Sequence, residues 1–368
     1  MNHPTAELTS ELNAVLIAWS QGQPPTEHQL QQLADWALND APAVWGLSAE
    51  NVNEALRSRA NLLQSFCGTM DSRRAEFPLA GHWADWIVPM WRIWLPLAQR
   101  LDLQQRALGA PFVQGILGGQ GTGKSTLTQI LQMILQQLGH QTVGLSIDDL
   151  YLTYDERQSL QRQDPRLVWR GPPGTHDVDL GLQVLNAIKQ ADAKAQIELP
   201  QFDKSLYAGQ GDRTSSIRVA APTIAFFEGW FVGARPVADA VFERAQTPLP
   251  DPIITDTDKA FARDCNQKLR SYLPLWDTLN SLIVLCPEDY RLSQQWRQAA
   301  EHGMKAQGKP GLSDRDIKAF VTYFWKALHP DLFISSLTLG IHPNSSGICP
   351  NLVINIRSDH SMGSLRVA

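Results

Sequence analysis

At 368 residues the chain is longer than one ordinary domain and suits two. Its 43% hydrophobic and 19% charged residues exclude a disordered chain, and no apolar run reaches membrane-spanning length. A formal net charge of −5 argues against a broad nucleic-acid or anionic-membrane surface and leaves room only for a local basic pocket.

The N-terminus, MNHPTAELTSELN, has neither a basic start followed by an apolar stretch nor an Arg-rich amphipathic pattern, so no export signal is expected. Residues 1–105 read as an all-helical module. Thr26 and Gln29 have the spacing of a capping box, and Leu30, Leu33, Ala34, Ala37 and Leu38 then line one face. Ser48 is placed to cap a second helix carrying Val52, Ala55, Leu56, Leu63 and Phe66. A third apolar stretch, Trp83 to Leu97, is expected to break at Pro89 and Pro96. Seven of the twelve tryptophans fall in this module, for core packing or, as the other reading, for a sugar- or nucleotide-stacking face.

From residue 106 to 368 the pattern alternates strand and helix, the sign of an α/β fold with a parallel sheet flanked by helices. The apolar run Phe112 to Leu117 feeds into Gly118, four free positions, Gly123, Lys124 and Ser125, the spacing of a phosphate-binding loop. Leu127, Ile130, Leu131, Ile134, Leu135 and Leu138 follow at helical spacing, and Gly139 sits at the stop. Strand, glycine loop and helix in that order place phosphates at a helix N-terminus. Gly118, Gly119, Gln120, Gly121, Thr122, Gly123, Lys124, Ser125 and Thr126 are therefore the candidate ATP-binding residues, with Lys124 toward the β- and γ-phosphates and Ser125 toward Mg²⁺. The fold expected is a P-loop NTPase kinase preceded by the helical module.

Further strands are expected at Thr142–Ile147, Thr223–Phe227, Ser281–Cys286 and Asn351–Ile356. The first ends in Asp148-Asp149 and the second in Glu228, so acids and phosphates should converge at one rim. Asp148 would be a general base toward a substrate hydroxyl or orient it, Asp149 a Mg²⁺-side acid or a cap, and Glu228 a magnesium-side acid. Two polar, Gly-rich stretches, Arg170–Asp177 and Asp203–Arg213, hold groups that would grip a small anionic, hydroxylated molecule. The candidate acceptor-binding set is Asp149, Tyr151, Thr175, His176, Asp177, Lys204 and Arg213, with Arg213 offering a fork for a carboxylate. Arg291, Arg297 and His302 are placed on a helix after the fourth strand. With Gly308-Lys309-Pro310-Gly311 they would form a cationic flap that excludes water. Residues 246–256 and 342–350 read as linkers. Cys67, Cys265, Cys286 and Cys349 lie far apart and read as reduced thiols of a cytoplasmic protein, and Asn344-Ser345-Ser346 fits a glycosylation site that carries no weight without export.

Together these stretches resemble the D-glycerate 3-kinases of plants and cyanobacteria, P-loop kinases related to phosphoribulokinase, uridine kinase and bacterial pantothenate kinase. The resemblance spans about residues 110 to 357. It rests on GGQGTGKSTL, SIDDLYLTYDE, RGPPGTHD, FDKSLYAGQGDR, FFEGWFVGARPV and QWRQAAEHGMKAQGKPGLSD. Leu150, Pro172 and Gln210 depart from the family pattern, which has phenylalanine, asparagine and arginine there. The resemblance implies ATP-dependent phosphorylation of D-glycerate at its 3-hydroxyl, the last step of the photorespiratory glycolate pathway. It makes Lys124 and Ser125 the ATP and Mg²⁺ residues, Asp148 the acid near the acceptor hydroxyl, Glu228 the acid of the third strand and Arg297 the lid arginine. A small-molecule substrate is expected, with no nucleic-acid or membrane partner, in a monomer or small homo-oligomer. A kinase of uridine, pantothenate or ribulose 5-phosphate is the nearest alternative. A nucleotide switch is another, although neither the Asn-Lys-x-Asp base-reading motif nor an Asp-Glu pair after the acidic strand is present.

Overall fold

The structure, a computed structural model, describes residues 8–72, 76, 79, 83–243, 248–306, 311–339 and 350–367. Its first part is helical: Ser10–Ser20, Glu27–Asn39, Val52–Ser72 and Leu95–Leu108. The expected capping box is present, with Gln29 N–H donating to Thr26 Oγ1 and Thr26 N–H to Gln29 Oε1. At the next helix Asn51, not the Ser48 hydroxyl, organises the first turn. Asn51 Oδ1 accepts Ser48 N–H at 2.8 Å and its amide donates to the Gly46 carbonyl.

The prolines do not break the third stretch. A 3₁₀ turn (Trp83–Trp86), an α turn (Ile87–Pro89) and a π turn (Met90–Trp94) run straight into Leu95–Leu108. The π turn closes through Leu95 N–H and the Met90 carbonyl, and Pro96, which lacks an N–H, leaves the Trp91 carbonyl one turn back to accept Arg59 Nη1 at 3.0 Å. Trp19, Trp36, Trp91 and Trp94 are buried in the core, and the Trp19 and Trp91 rings lie 5.7 Å apart. Core packing accounts for them.

The second part holds a six-stranded sheet built from β1 (Phe112–Gly118), β2 (Thr142–Ser146), β5 (Ile224–Gly229), β6 (Ser281–Pro287), β7 (Leu352–Ile356) and β8 (Met362–Arg366). The order is β2-β5-β1-β6-β7-β8, parallel except for β8. Side chains of β1 alternate between two cores. Phe112 and Ile116 pack with the helical module and the Lys124–Gln137 helix, while Val113 and Leu117 pack on the opposite face. The strand β8 and a separate antiparallel hairpin, β3 (Gln196–Asp203) with β4 (Asp212–Ala220), add to the strands expected from the sequence. Residues 246–247, 308–310 and 342–349 of the expected linkers and flap loop lie outside the described residues. Among the described residues no helix is long and apolar enough to cross a membrane.

Candidate phosphoryl-transfer site

β1 ends at Gly118 and the helix starts at Lys124, with Gly123 at φ 86° as its N-cap. Gly121 has φ 76°, and a Cβ there would press on Trp296 Cβ at 2.7 Å, so the loop takes a path suited to glycine. Lys124 Nζ folds back to donate to the Gly119 carbonyl at 3.1 Å, and Thr122 Oγ1 donates to the same carbonyl at 2.8 Å. Burial pushes the Lys124 ammonium below its usual pKa, opposed by the charges of Glu228 and Asp148. Ser125 Oγ donates to Glu228 Oε1 at 2.8 Å. Glu228 reaches that point because it registers with Ile116 of β1 on one side and Ser146 of β2 on the other. The residues from Gly118 to Thr126 thus form one turn at the sheet's carboxyl rim, as expected.

Asp148 lies in the 3₁₀ turn Ile147–Leu150 directly after β2. Both carboxylate oxygens are engaged: Oδ1 accepts the Tyr151 hydroxyl at 2.9 Å and Oδ2 the Lys204 ammonium at 2.6 Å. Burial works to raise its pKa, but the charge and hydrogen bond of Lys204, with the Tyr151 bond, bring it below the usual carboxylate range. Asp149 turns away from Asp148. Its Oδ2 accepts Ser146 N–H at 3.0 Å, the capping role, and burial raises its pKa.

The polar stretches wrap this turn. His176 stacks on Tyr151 with ring centroids 4.5 Å apart. Thr175 is buried, its hydroxyl donating to the Pro172 carbonyl and accepting Gly171 N–H, so it staples its own loop. Asp177 caps the Val178–Gln190 helix by accepting Leu180 N–H at 2.9 Å. Arg213, expected as a free fork for a carboxylate, is a buckle between segments. Its Nε donates to the Tyr151 carbonyl at 2.7 Å and its Nη2 to Asp177 Oδ2 at 2.9 Å.

Three residues outside the expected set complete this side. Arg170 donates to the carbonyls of Gly209 and Gln210, and its guanidinium lies over the rings of Tyr151 and Phe202 at 5.7 and 5.4 Å. Arg157 bonds the carbonyls of Leu152, Gln210 and Gly211. Tyr272, in the turn after the Asp256–Leu269 helix, bonds Gly174 and His176. Arg170 stood at the head of a stretch already singled out; Arg157 and Tyr272 carried no local signal.

The expected flap is only partly on one helix. Arg297 and His302 lie on Leu292–Ala306, but Arg291 precedes it and pairs with Asp289 at 2.6 Å. Arg297 Nη2 meets Glu301 Oε1 at 2.5 Å, and His302 Nε2 meets Asp314 at 2.7 Å. Glu301 is buried, and its other oxygen accepts Leu312 N–H. A cavity of about 480 Å³ opens beside Gly119 and Gln120, walled by Trp230, Arg291 and Trp325.

A parallel sheet in this order, with a phosphate loop after β1 and acids ending β2 and β5, defines a P-loop kinase. No family model matches the chain. It is 35% identical over 234 residues to the uncharacterized kinase mug58 of Schizosaccharomyces pombe, covering 61% of this chain and 82% of that protein. It is 29% identical over 235 residues to the chloroplastic D-glycerate 3-kinase of Arabidopsis thaliana, covering 61% of this chain but 49% of the plant enzyme, about half its length. The solved structure of D-glycerate 3-kinase from Cryptococcus neoformans superposes with a TM-score of 0.63 at 27% identity, over 74% of this chain and 99% of that one. The chain belongs to this family of P-loop kinases, which holds mug58 and the D-glycerate 3-kinases.

Proposed function

We propose that the protein transfers the γ-phosphoryl group of ATP to the 3-hydroxyl of D-glycerate, giving 3-phosphoglycerate and ADP. The observation that carries this reading is Asp148 held between Tyr151 and Lys204, close enough for its charge to act on Lys124 of the phosphate loop. A carboxylate base and an ammonium beside a phosphate site suit an acceptor that bears a hydroxyl and a negative charge. Similarity to two D-glycerate 3-kinases supports the substrate.

In this reading the loop N–H groups and Lys124 hold the phosphates, Lys124 exchanging its bond to the Gly119 carbonyl for phosphate oxygens. Lys204 takes the acceptor's carboxylate, which turns Asp148 Oδ2 toward the hydroxyl. Asp148, ionised at neutral pH, accepts the hydroxyl proton as the new O–P bond forms and the bond to the leaving ADP oxygen breaks. Arg297 is the lid cation, and Asp149, Thr175, Asp177 and Arg213 support the acceptor pocket. Ser125 and Glu228 present adjacent oxygens and fit Mg²⁺, a hard cation that takes one or two protein oxygens and completes its shell with phosphate and water. Bound there, the ion would offset charge on the transferred group. This reading assigns residues 1–105 to the helical module and 106–368 to the kinase domain, a division that falls inside the Leu95–Leu108 helix.

The test is turnover of purified protein with Mg·ATP against D-glycerate, uridine, pantothenate and ribulose 5-phosphate, with product position read by NMR. Formation of 3-phosphoglycerate from D-glycerate supports the reading. Turnover of another acceptor with none of glycerate would reassign the substrate.

A further inference from the structure

One buried polar group on the acceptor side has no task in the steps above. His176 is 5% exposed, and its Nε2 has no hydrogen-bond partner. Its other ring nitrogen, Nδ1, lies 2.8 Å from Tyr272 Oη. Hydrogen-bond accounting at Tyr272 decides which nitrogen carries the hydrogen. The phenol oxygen accepts Gly174 N–H at 2.8 Å, and among the described residues His176 Nδ1 is the other group within hydrogen-bond distance of it. A phenol has one hydrogen to give, and with Gly174 N–H already donating to its oxygen, His176 Nδ1 is the acceptor placed to take that hydrogen. Nδ1 is then an acceptor, and the hydrogen of the neutral ring sits on Nε2.

The surroundings hold that state. Burial pushes the ring's pKa down to about 3, although the Asp148 charge works the other way. The titratable groups around the ring are Asp148, Tyr151 and Tyr272, and burial drives both phenols above their usual pKa, so neither supplies a charge at neutral pH. Rotation is blocked as well. The ring stacks on Tyr151 and meets Phe231 and Tyr272 at 5.6 and 5.7 Å. Tyr151 in turn donates to Asp148, so the stacked pair belongs to the layer that holds the base. A buried donor left unsatisfied is costly, and beside Asp148 a ligand oxygen is one group that would complete it.

We propose that His176 Nε2–H donates a hydrogen bond to an oxygen of the acceptor molecule, and that Tyr272 is the positioning residue that locks His176 in this tautomer. The proposal rests on the phosphoryl-transfer reading of this rim. The chemistry recognised is an oxygen that can accept, such as a carboxylate oxygen of a small hydroxy acid. A neutral donor reads that oxygen without adding a positive charge that would compete for Asp148.

Nitrogen-15 NMR of histidine-labelled full-length protein reads the tautomer directly, with no ATP present. His176, assigned by its absence in His176→Gln, should show the neutral Nε2–H pattern unchanged between about pH 5 and 8, and its Nε2–H should shift on adding D-glycerate. His176→Phe keeps a flat ring but loses the donor and should raise the acceptor KM about 10–100-fold while the ATP KM stays within about twofold. His176→Gln, which keeps an N–H donor, should recover most of that loss. Tyr272→Phe should give mixed tautomers and an intermediate acceptor KM. An Nδ1–H or charged ring in the wild type overturns the proposal. So does an unchanged acceptor KM in a His176→Phe variant whose circular dichroism and melting temperature match the wild type. If that variant fails to fold, the wild-type tautomer and its response to D-glycerate decide. Wild-type failure to phosphorylate D-glycerate would sink the substrate assignment alone, and the same KM comparison would then be made with the acceptor that turns over.

Discussion

In the proposed function, the working groups of the phosphate side lie within one turn of chain, Gly118 to Thr126, and many of them are backbone N–H. On the acceptor side they come from separate segments: Asp148 and Tyr151 after β2, the loop Arg170 to Asp177, Lys204 and Arg213 of the hairpin, and Tyr272 before β6. The first side depends on local backbone conformation and a single lysine. The second is a side-chain network in which most members satisfy one another, so that Arg213 holds Asp177 and Tyr151 before it can hold anything else. A substitution on the phosphate side should therefore cost chemistry without stability. One on the acceptor side should cost both.

The largest effect is expected for Lys124→Ala, a loss of about 10³-fold or more in kcat/KM with an unchanged melting temperature, since its one hydrogen-bond partner among the described residues is the Gly119 carbonyl, which keeps the Thr122 hydroxyl. A stability loss comparable to the activity loss would erase the contrast. Asp148→Asn should lower kcat by about 10²–10⁴-fold, with ATP affinity within about threefold, in a single-turnover assay. If instead ATP or Mg²⁺ binding weakens and the chemical step does not, Asp148 belongs to the metal side. Arg213→Lys should destabilise by about 1–3 kcal/mol, because a lysine cannot serve both the Tyr151 carbonyl and Asp177. It should also raise the acceptor KM about tenfold by loosening the loop. Chemical denaturation beside steady-state kinetics checks it, and a lost acceptor KM at full stability would restore Arg213 as a free fork.

The smallest expected effect is on pH dependence. His176 and His329 are buried with pKa values lowered from 6.5, chiefly by desolvation, His176 to about 3. The unfolded chain binds more protons than the folded one below pH 6.5, so their contribution is complete above that pH and is lost as pH falls. The limiting slope is about 1.4 kcal/mol per pH unit for each histidine. Asp148, with its pKa lowered from 3.8, loses its contribution only as pH falls below that value, so denaturant midpoints between pH 7 and 5 report the histidines and not Asp148. His176→Phe should flatten part of that slope.

The same contrast separates what was legible in the sequence. The phosphate loop, its strand and helix, the acids after β2 and β5 and the Thr26 capping box all rest on signals within a few residues. Spacing, period and capping chemistry are enough to read them. The hairpin was not legible, because β4 is largely exposed and carries no alternating apolar face, and β8 is a strand of 5 residues with Leu365 as its one buried hydrophobic side chain. The prolines near Met90 misled because a π turn, with Trp91 and Trp94 buried in it, carries the helix past the conflict that a regular i→i−4 ladder would meet at Pro96.

By itself, then, the chain's order of residues determined that a glycine loop meets a helix N-terminus beside two acids, since each of those features is local. Only the tertiary structure decided which polar groups remain free for an acceptor. Arg213 meets Asp177 across 36 residues, Lys204 meets Asp148 across 56, and His176 meets Tyr272 across 96. Such pairings have no local signature, because a hydrogen bond depends on where two side chains arrive in space and not on how far apart they stand along the chain.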